Sequence, residues 1–152
     1  MEQVKQIKVN AIKNGTVIDH ITAGRVQKVL EIVNLDSPET VMIGMNLHSN
    51  KIGKKDIIKI ENKVLSQDEV NSIALIAPKA TLIIIKDFEV VSKDYLELPE
   101  KISNLIVCPN PKCITNEEII NSEFRLTEDT PPQVRCSYCE KKYPIEEVKI
   151  KK

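Results

Sequence analysis

Four cysteines, all beyond residue 107, constrain this chain more than any other feature. Cys108 and Cys113 bracket "CPNPKC"; after 22 further residues, Cys136 and Cys139 bracket "CSYC". Each short-spaced pair can form a knuckle that offers two thiolates from one turn, with Pro109, Pro111 and short polar residues supplying the turn chemistry. Two knuckles brought together make a tetrahedral S4 set, which suits zinc. Four thiolates fill the coordination sphere and leave no place for water or substrate, so the expected ion is structural, one Zn(2+) per chain. Disulfides or four unrelated thiols are the bland alternatives. An iron–sulfur cluster is another, disfavoured because nothing else here suggests redox work.

The same region differs in composition from the rest. Six of the eight prolines follow residue 98, and the pattern breaks at "YLELPEKISN", where Pro99 disfavours helix at Leu98. Residues 1–98 read as one domain and 101–152 as a second, too small to bury much apolar surface without a staple. With no Trp, three Tyr and two Phe, the core must be mostly Val, Ile and Leu. These occur in short β-branched runs that favour sheet.

In the first domain, Val4 to Ile12 alternates as a strand, and Asn14-Gly15 turns into a second extended stretch, Val17 to Ile21. Thr22 can cap a helix carrying Val26, Val29, Leu30 and Val33 at helical spacing. A loop at 34–39 leads to a strand, "TVMIGMNLHS"; the turn "NKIGKKD" leads to another, "IIKIEN". Ser66 and Glu69 form a capping box for a helix that buries Val70, Ile73, Ala74 and Ala77 and ends at Pro78. "ATLIIIKDFEVVS" reads as one long strand. The order β(β)αββαβ predicts an α+β protein: an N-terminal ferredoxin-like α/β sandwich plus a small C-terminal all-β, zinc-ribbon-like domain.

Charge excludes more than it suggests. Basic and acidic residues balance at 22 each, so nothing global draws the chain to nucleic acid or an anionic membrane. "MEQVKQIKVN" lacks the apolar core of a signal peptide, and no apolar run approaches the ~20 residues of a membrane span, so a cytoplasmic protein is expected. From residue 101 onward nine Lys and Arg face eight Asp and Glu, and a zinc tetrathiolate brings a further negative charge. Without a basic stripe and interleaved aromatics, a zinc-bearing nucleic-acid-binding regulator is the weaker reading and a protein-docking module the better one.

Asp19-His20, inside the apolar run "NGTVIDHITAG", is the other notable feature. In a regular strand Asp19 would share a face with Val17 and Ile21, and His20 with Ile18, so the two would not form a dyad. No nucleophile is spaced for them, and His20 and His48 lack metal-ligand spacing, so neither catalysis nor an open metal site is indicated. Lysines gather in other strands of the same sheet: Lys54, Lys55, Lys59 and Lys93. Such lysines can offer charge to phosphates while an aspartate accepts from ribose hydroxyls. From the residues alone, solvated surface lysines and an ordinary packed or capping histidine are the slightly stronger reading.

"NGTVIDHI", "GKKDIIKIEN", "APKAT", "VCPNPKCI" and "CSYCEK", in this order and spacing, resemble the regulatory chains of aspartate carbamoyltransferase over essentially the full length. The resemblance implies a non-enzymatic chain whose N-terminal domain binds ATP or CTP, often with UTP. It implies a zinc domain that docks on the catalytic chain, and pairing of regulatory chains so that three dimers tie two catalytic trimers together. Asp19 then looks like the ribose contact, with Val9 and Lys59 beside it. His20 and Lys93 look like triphosphate contacts, with Val90 nearby and Lys55 more peripheral. Ala11, Ile12, Val17, Ile85 and Phe88 line the base pocket, and the carbonyls of Ile12 and Phe88 read an exocyclic amino group. Asn10 stands where an acid is familiar, Ile83 where an asparagine is, and Phe88 where a tyrosine is, which leaves effector preference open.

Overall fold

The computed structural model describes residues 12–35 and 40–151. Most of the expected Val4 to Ile12 strand lies outside them, as do the candidate residues Val9, Asn10 and Ala11 and much of the 34–39 loop. The described chain runs β1 (Gly15–Thr22), α1 (Val26–Ile32), β2 (Val41–Ser49), β3 (Gly53–Glu61), α2 (Gln67–Ile76), β4 (Thr81–Lys86) and β5 (Glu89–Tyr95). The cysteine-bearing part follows: β6 (Lys101–Ser103), β7 (Ile106–Val107), α3 (Ile114–Glu117), β8 (Glu123–Leu126), β9 (Gln133–Cys136), β10 (Lys142–Pro144), a 3-10 turn (Ile145–Glu147) and β11 (Lys149–Ile150).

The first five strands form one antiparallel sheet in the order β2-β3-β1-β4-β5. α1 carries the chain from β1 past β3 to β2, and α2 carries it from β3 past β1 to β4. These two interleaved α-β crossovers are the ferredoxin-like arrangement, with β5 added at one edge. The core lies between helices and sheet and is aliphatic: Ile18, Ile21, Val26, Val29, Val33, Ile58, Ile60, Ile73, Ala77 and Ala80.

Three local expectations need correction. The expected long strand is a hairpin, folded at Asp87-Phe88 with Lys86 opposite Glu89. Both turn residues have positive φ, 50° and 66°, as a type I′ turn requires. No glycine marks it, so the apolar run conceals the reversal. Thr22 does not cap α1; it ends β1, and its carbonyl accepts from the Arg25 N–H. The α1 start is held instead by Asp56 of β3, whose Oδ2 accepts from the Gly24 and Val26 N–H groups at 2.9 and 3.2 Å. Asp56 Oδ1 also accepts from the Asn46 N–H in the β2 bulge at 2.8 Å. Third, α2 buries Ser72, Ile73, Ala74 and Leu75, while Val70 is only half-buried.

The capping box at Ser66 and Glu69 forms as expected, with both hydrogen bonds present. Glu69 does more than cap: Oε2 accepts from the Asn34 N–H at 2.9 Å, tying the end of α1 to the start of α2. Beyond Lys101, a four-stranded sheet (β10-β9-β8-β6) and the pair β11-β7 enclose a small core of Ile102, Ile106, Phe124, Val134 and three cysteines. Leu75 of α2 is buried in this second core, not in the first. Among the described residues no helix is long and apolar enough to cross a membrane.

Candidate functional site

The two cysteine knuckles meet. The four Sγ atoms lie within 4.8 Å of one another, with Cys108 and Cys139 at 3.7 Å and Cys113 and Cys136 at 3.8 Å. A disulfide needs about 2 Å, whereas sulfurs at the corners of a tetrahedron with ~2.3 Å metal–sulfur bonds stand about 3.8 Å apart. The donor set and its spacing therefore fit a closed four-thiolate metal centre. Local hydrogen bonds build each knuckle. The Asn116 side-chain amide donates to the carbonyls of Cys108 and Asn110 at 2.8 and 2.7 Å, the Cys113 N–H to Asn110, and the Glu140 N–H to Cys136. The Thr115 hydroxyl donates to Cys113 Sγ at 3.1 Å.

Burial pushes the Cys108 thiol up to about 12. At Cys139 burial acts the same way, but the Lys141 N–H and the Asn110 side chain outweigh it and hold the thiol at about 7. A cation displaces the thiol protons when it binds, so metal affinity here should weaken as pH is lowered.

The second cluster lies on the sheet face turned away from the helices. Lys59 of β3 pairs with Val17 of β1, Val17 with Ile83 of β4, and Ile83 with Lys93 of β5. Directly paired residues of antiparallel strands point to one face, so this row puts a lysine at each side of two apolar side chains. On one side lies the row Gly15, Ile85, Val90, and on the other Asp19, Thr81, Tyr95. Val17, Asp19, Lys59, Ile83, Ile85, Val90 and Lys93 thus share one surface. Phe88, at the exposed hairpin turn, lies beside the start of β1: its N–H donates to the Lys13 carbonyl at 2.9 Å, next to buried Ile12.

β1 is not regular where Asp19 and His20 stand. Its register with β3 shifts between Ile18 and Ile21, and His20 has a φ of 56°. This bulge replaces the expected alternation. Ile18 and Ile21 are both fully buried on the helix side, and the Asp19 and His20 side chains come together at the rim. His20 Nδ1 is 3.9 Å from Asp19 Oδ1, too far for a hydrogen bond, and 3.2 Å from Thr81 Oγ1. Asp19 Oδ1 instead accepts from the His20 N–H at 2.6 Å and from Lys55 Nζ at 2.8 Å.

Burial works to raise the Asp19 pKa, but the Lys55 and backbone hydrogen bonds outweigh it and hold the carboxyl below its usual range. For His20, burial lowers the pKa; the Asp19 charge opposes this, and Lys55, Lys51 and Lys93 reinforce it. The imidazole is thus neutral near neutral pH, beside several cations. Sequence reading missed Thr81, which orients the ring, and Asp56, whose only signal is an acid at a core-facing position of β3.

Comparison with known proteins follows this division. Residues 7–97 match the family model described as aspartate carbamoyltransferase regulatory chain, allosteric domain. Residues 100–149 match the one described as the metal binding domain of the same chain. An aspartate carbamoyltransferase regulatory chain of Thermococcus sibiricus is 50% identical over 138 residues, 91% of this chain and 92% of the relative. That of Pyrococcus horikoshii is 48% identical over 146 residues, covering 94% and 96%. That of Methanosphaera stadtmanae is 45% identical over 145 residues, covering 94% and 95%.

Proposed function

The chain belongs to the family of aspartate carbamoyltransferase regulatory chains, a non-catalytic subunit, and from that premise we propose that it binds nucleotide effectors and passes their effect to catalytic trimers in pyrimidine biosynthesis. The effectors are CTP and ATP, with UTP a further candidate. The observation that carries this reading is the row Lys59, Val17, Ile83, Lys93, with Asp19 and His20 one row away. An apolar strip supports a base, flanking cations neutralise phosphates, and an ionised carboxylate accepts from ribose hydroxyls. Residues 1–98 are the effector domain, where Asp19 and Lys59 hold the sugar, His20 and Lys93 the phosphates, and Ile12, Val17, Ile85 and Phe88 the base.

Residues 101–152 are the docking domain. Cys108, Cys113, Cys136 and Cys139 hold zinc, the usual ion for four thiolates on a tetrahedron. Ile114 and Ile119, close after Cys113, and Tyr138, between Cys136 and Cys139, are exposed and offer an apolar contact to the catalytic chain. Three regulatory dimers then join two catalytic trimers in the cytoplasm. An effector shifts such an assembly only by its differential affinity for two quaternary states, typically ~1–3 kcal/mol.

The test is reconstitution. The zinc-loaded chain is mixed with aspartate carbamoyltransferase catalytic trimers, and rate is recorded against aspartate with and without CTP and ATP. A curve that changes on mixing and shifts again with nucleotide supports the whole reading. A change on mixing with no nucleotide response leaves docking and removes the effector role.

Two variants report on the phosphate contacts. Lys93→Ala is expected to weaken CTP and ATP alike, by roughly 10- to 100-fold for one lost charge-assisted hydrogen bond. An effect confined to one nucleotide would rule out the phosphate role. His20 adds a pH signature. Its pKa is depressed in the free chain, and a triphosphate favours the imidazolium, so binding takes up a proton. Affinity should therefore rise as pH falls from about 8 to about 6, and His20→Asn should remove that part of the proton uptake in calorimetry.

A further inference from the structure

Lys51 and Tyr95 make a contact that neither fold nor family reading uses. Lys51 sits in the turn between β2 and β3, and Tyr95 ends β5 at the far side of β1 and β4. Lys51 Nζ nonetheless stands 3.3 Å from the Tyr95 hydroxyl and 5.0 Å from the centre of its ring. The contact thus joins elements that β1 and β4 separate in the sheet. Tyr95 pairs with Thr81, and Thr81 holds His20 Nδ1, so the lysine is strapped over the rim where Asp19 and His20 meet.

The other rim cation is engaged. Lys55 is ion-paired with Asp19 at 2.8 Å, whereas Lys51 forms no salt bridge among the described residues. Its partner is an exposed phenol, a weak and readily exchanged acceptor. Tyr95 keeps a long, flexible cation over the site, and an anion reaching past His20 finds it there. We propose that Lys51 is a further phosphate ligand, which takes the outermost phosphate of a nucleoside triphosphate and so makes the site select triphosphates over monophosphates. The proposal rests on the nucleotide reading above and extends it to phosphate number. Burial is the main cause of the lowered His20 pKa, and the charges of Lys51 and Lys93 add smaller contributions of the same sign, which agrees with both lysines lying near the ring.

The experiment measures CTP and CMP binding to the full zinc-loaded chain by calorimetry for wild type, Lys51→Ala, Lys51→Arg, Tyr95→Phe and Lys93→Ala. Lys51→Ala should weaken CTP by about tenfold and CMP by less than about twofold, collapsing the preference. Lys51→Arg should restore it, and Tyr95→Phe, which keeps the ring beneath the cation, should leave most of it. Equal losses for CTP and CMP, or no loss for CTP while Lys93→Ala still weakens it, would overturn the proposal and leave the nucleotide site standing. A wild-type chain that binds neither ligand overturns both.

Discussion

A chain carrying Cys113→Ala is expected to lose its metal and its C-terminal fold together, and with them, on the function proposed above, its hold on the catalytic chain. Cys113 is buried, its Sγ lies 3.8 Å from that of Cys136, and it immediately precedes α3, the only α-helix among the described residues beyond Lys101. The core around it is small: Ile102, Ile106, Phe124 and Val134 are its buried hydrocarbon side chains apart from Leu75. In small zinc peptides metal binding supplies about 10–16 kcal/mol, while whole domains keep only about 5–15 kcal/mol of net stability. If three thiolates no longer hold the ion, its loss removes more than the remaining packing can offset. Metal content by atomic absorption and assembly by sedimentation are the readouts. A metal-free variant that still sediments with catalytic trimers would show that docking does not depend on the centre.

Asp56→Ala carries the second largest expected effect, in the other half of the molecule. The carboxylate is fully buried and accepts from three backbone N–H groups, those of Gly24, Val26 and Asn46. A hydrogen bond to a charged group contributes about 1.5–3 kcal/mol, and buried donors left without partners add to the loss. Relief of the buried charge offsets part of it, so a net destabilisation of about 3–5 kcal/mol is expected. At this chain length that is a fall in Tm of roughly 10 °C. Asp56→Asn keeps one acceptor oxygen but turns its amide NH2 toward the donors the other oxygen served, so its stability should fall between those of wild type and Asp56→Ala. The same substitution should weaken nucleotide binding, because Ile21, at the end of the β1 bulge, pairs with Asp56. A melting temperature within about 2 °C of wild type would mean that the three donors find other partners.

What the sequence discloses is what short-range chemistry decides. The cysteine knuckles are spelled out within six and four residues, and the α2 cap within four, so both are legible. The aliphatic periodicity is also local, and it yields the β–α order and hence the class of fold. The misreadings have partners far along the chain. The cap of α1 comes from β3, thirty residues on. The bulge that turns Ile21 inward exists because β1 must match Ile58 at one end and Asp56 at the other. The hairpin at Asp87-Phe88 uses positive φ without glycine, stabilised by Asn14 and Lys13 from β1's approach, not by its own turn residues. Lys51 looks like one more turn lysine until Tyr95 is found beneath it. The resemblance named Asp19, His20 and Lys93, but the bulge that joins the first two is a property of paired strands.

Leu75 has a consequence for ancestry and engineering. It grows from a helix of the first half yet fills a hole in the second, so the border at Pro99 is a border in sequence and not in packing. Severing the chain there would leave an orphaned apolar peg on one fragment and an open socket on the other. A grafted metal-binding domain from a distant relative would have to bring a socket of matching shape. The two halves are therefore not free to drift apart. A larger side chain at Ile145 or Val148, which pack against the same core, should be felt on α2.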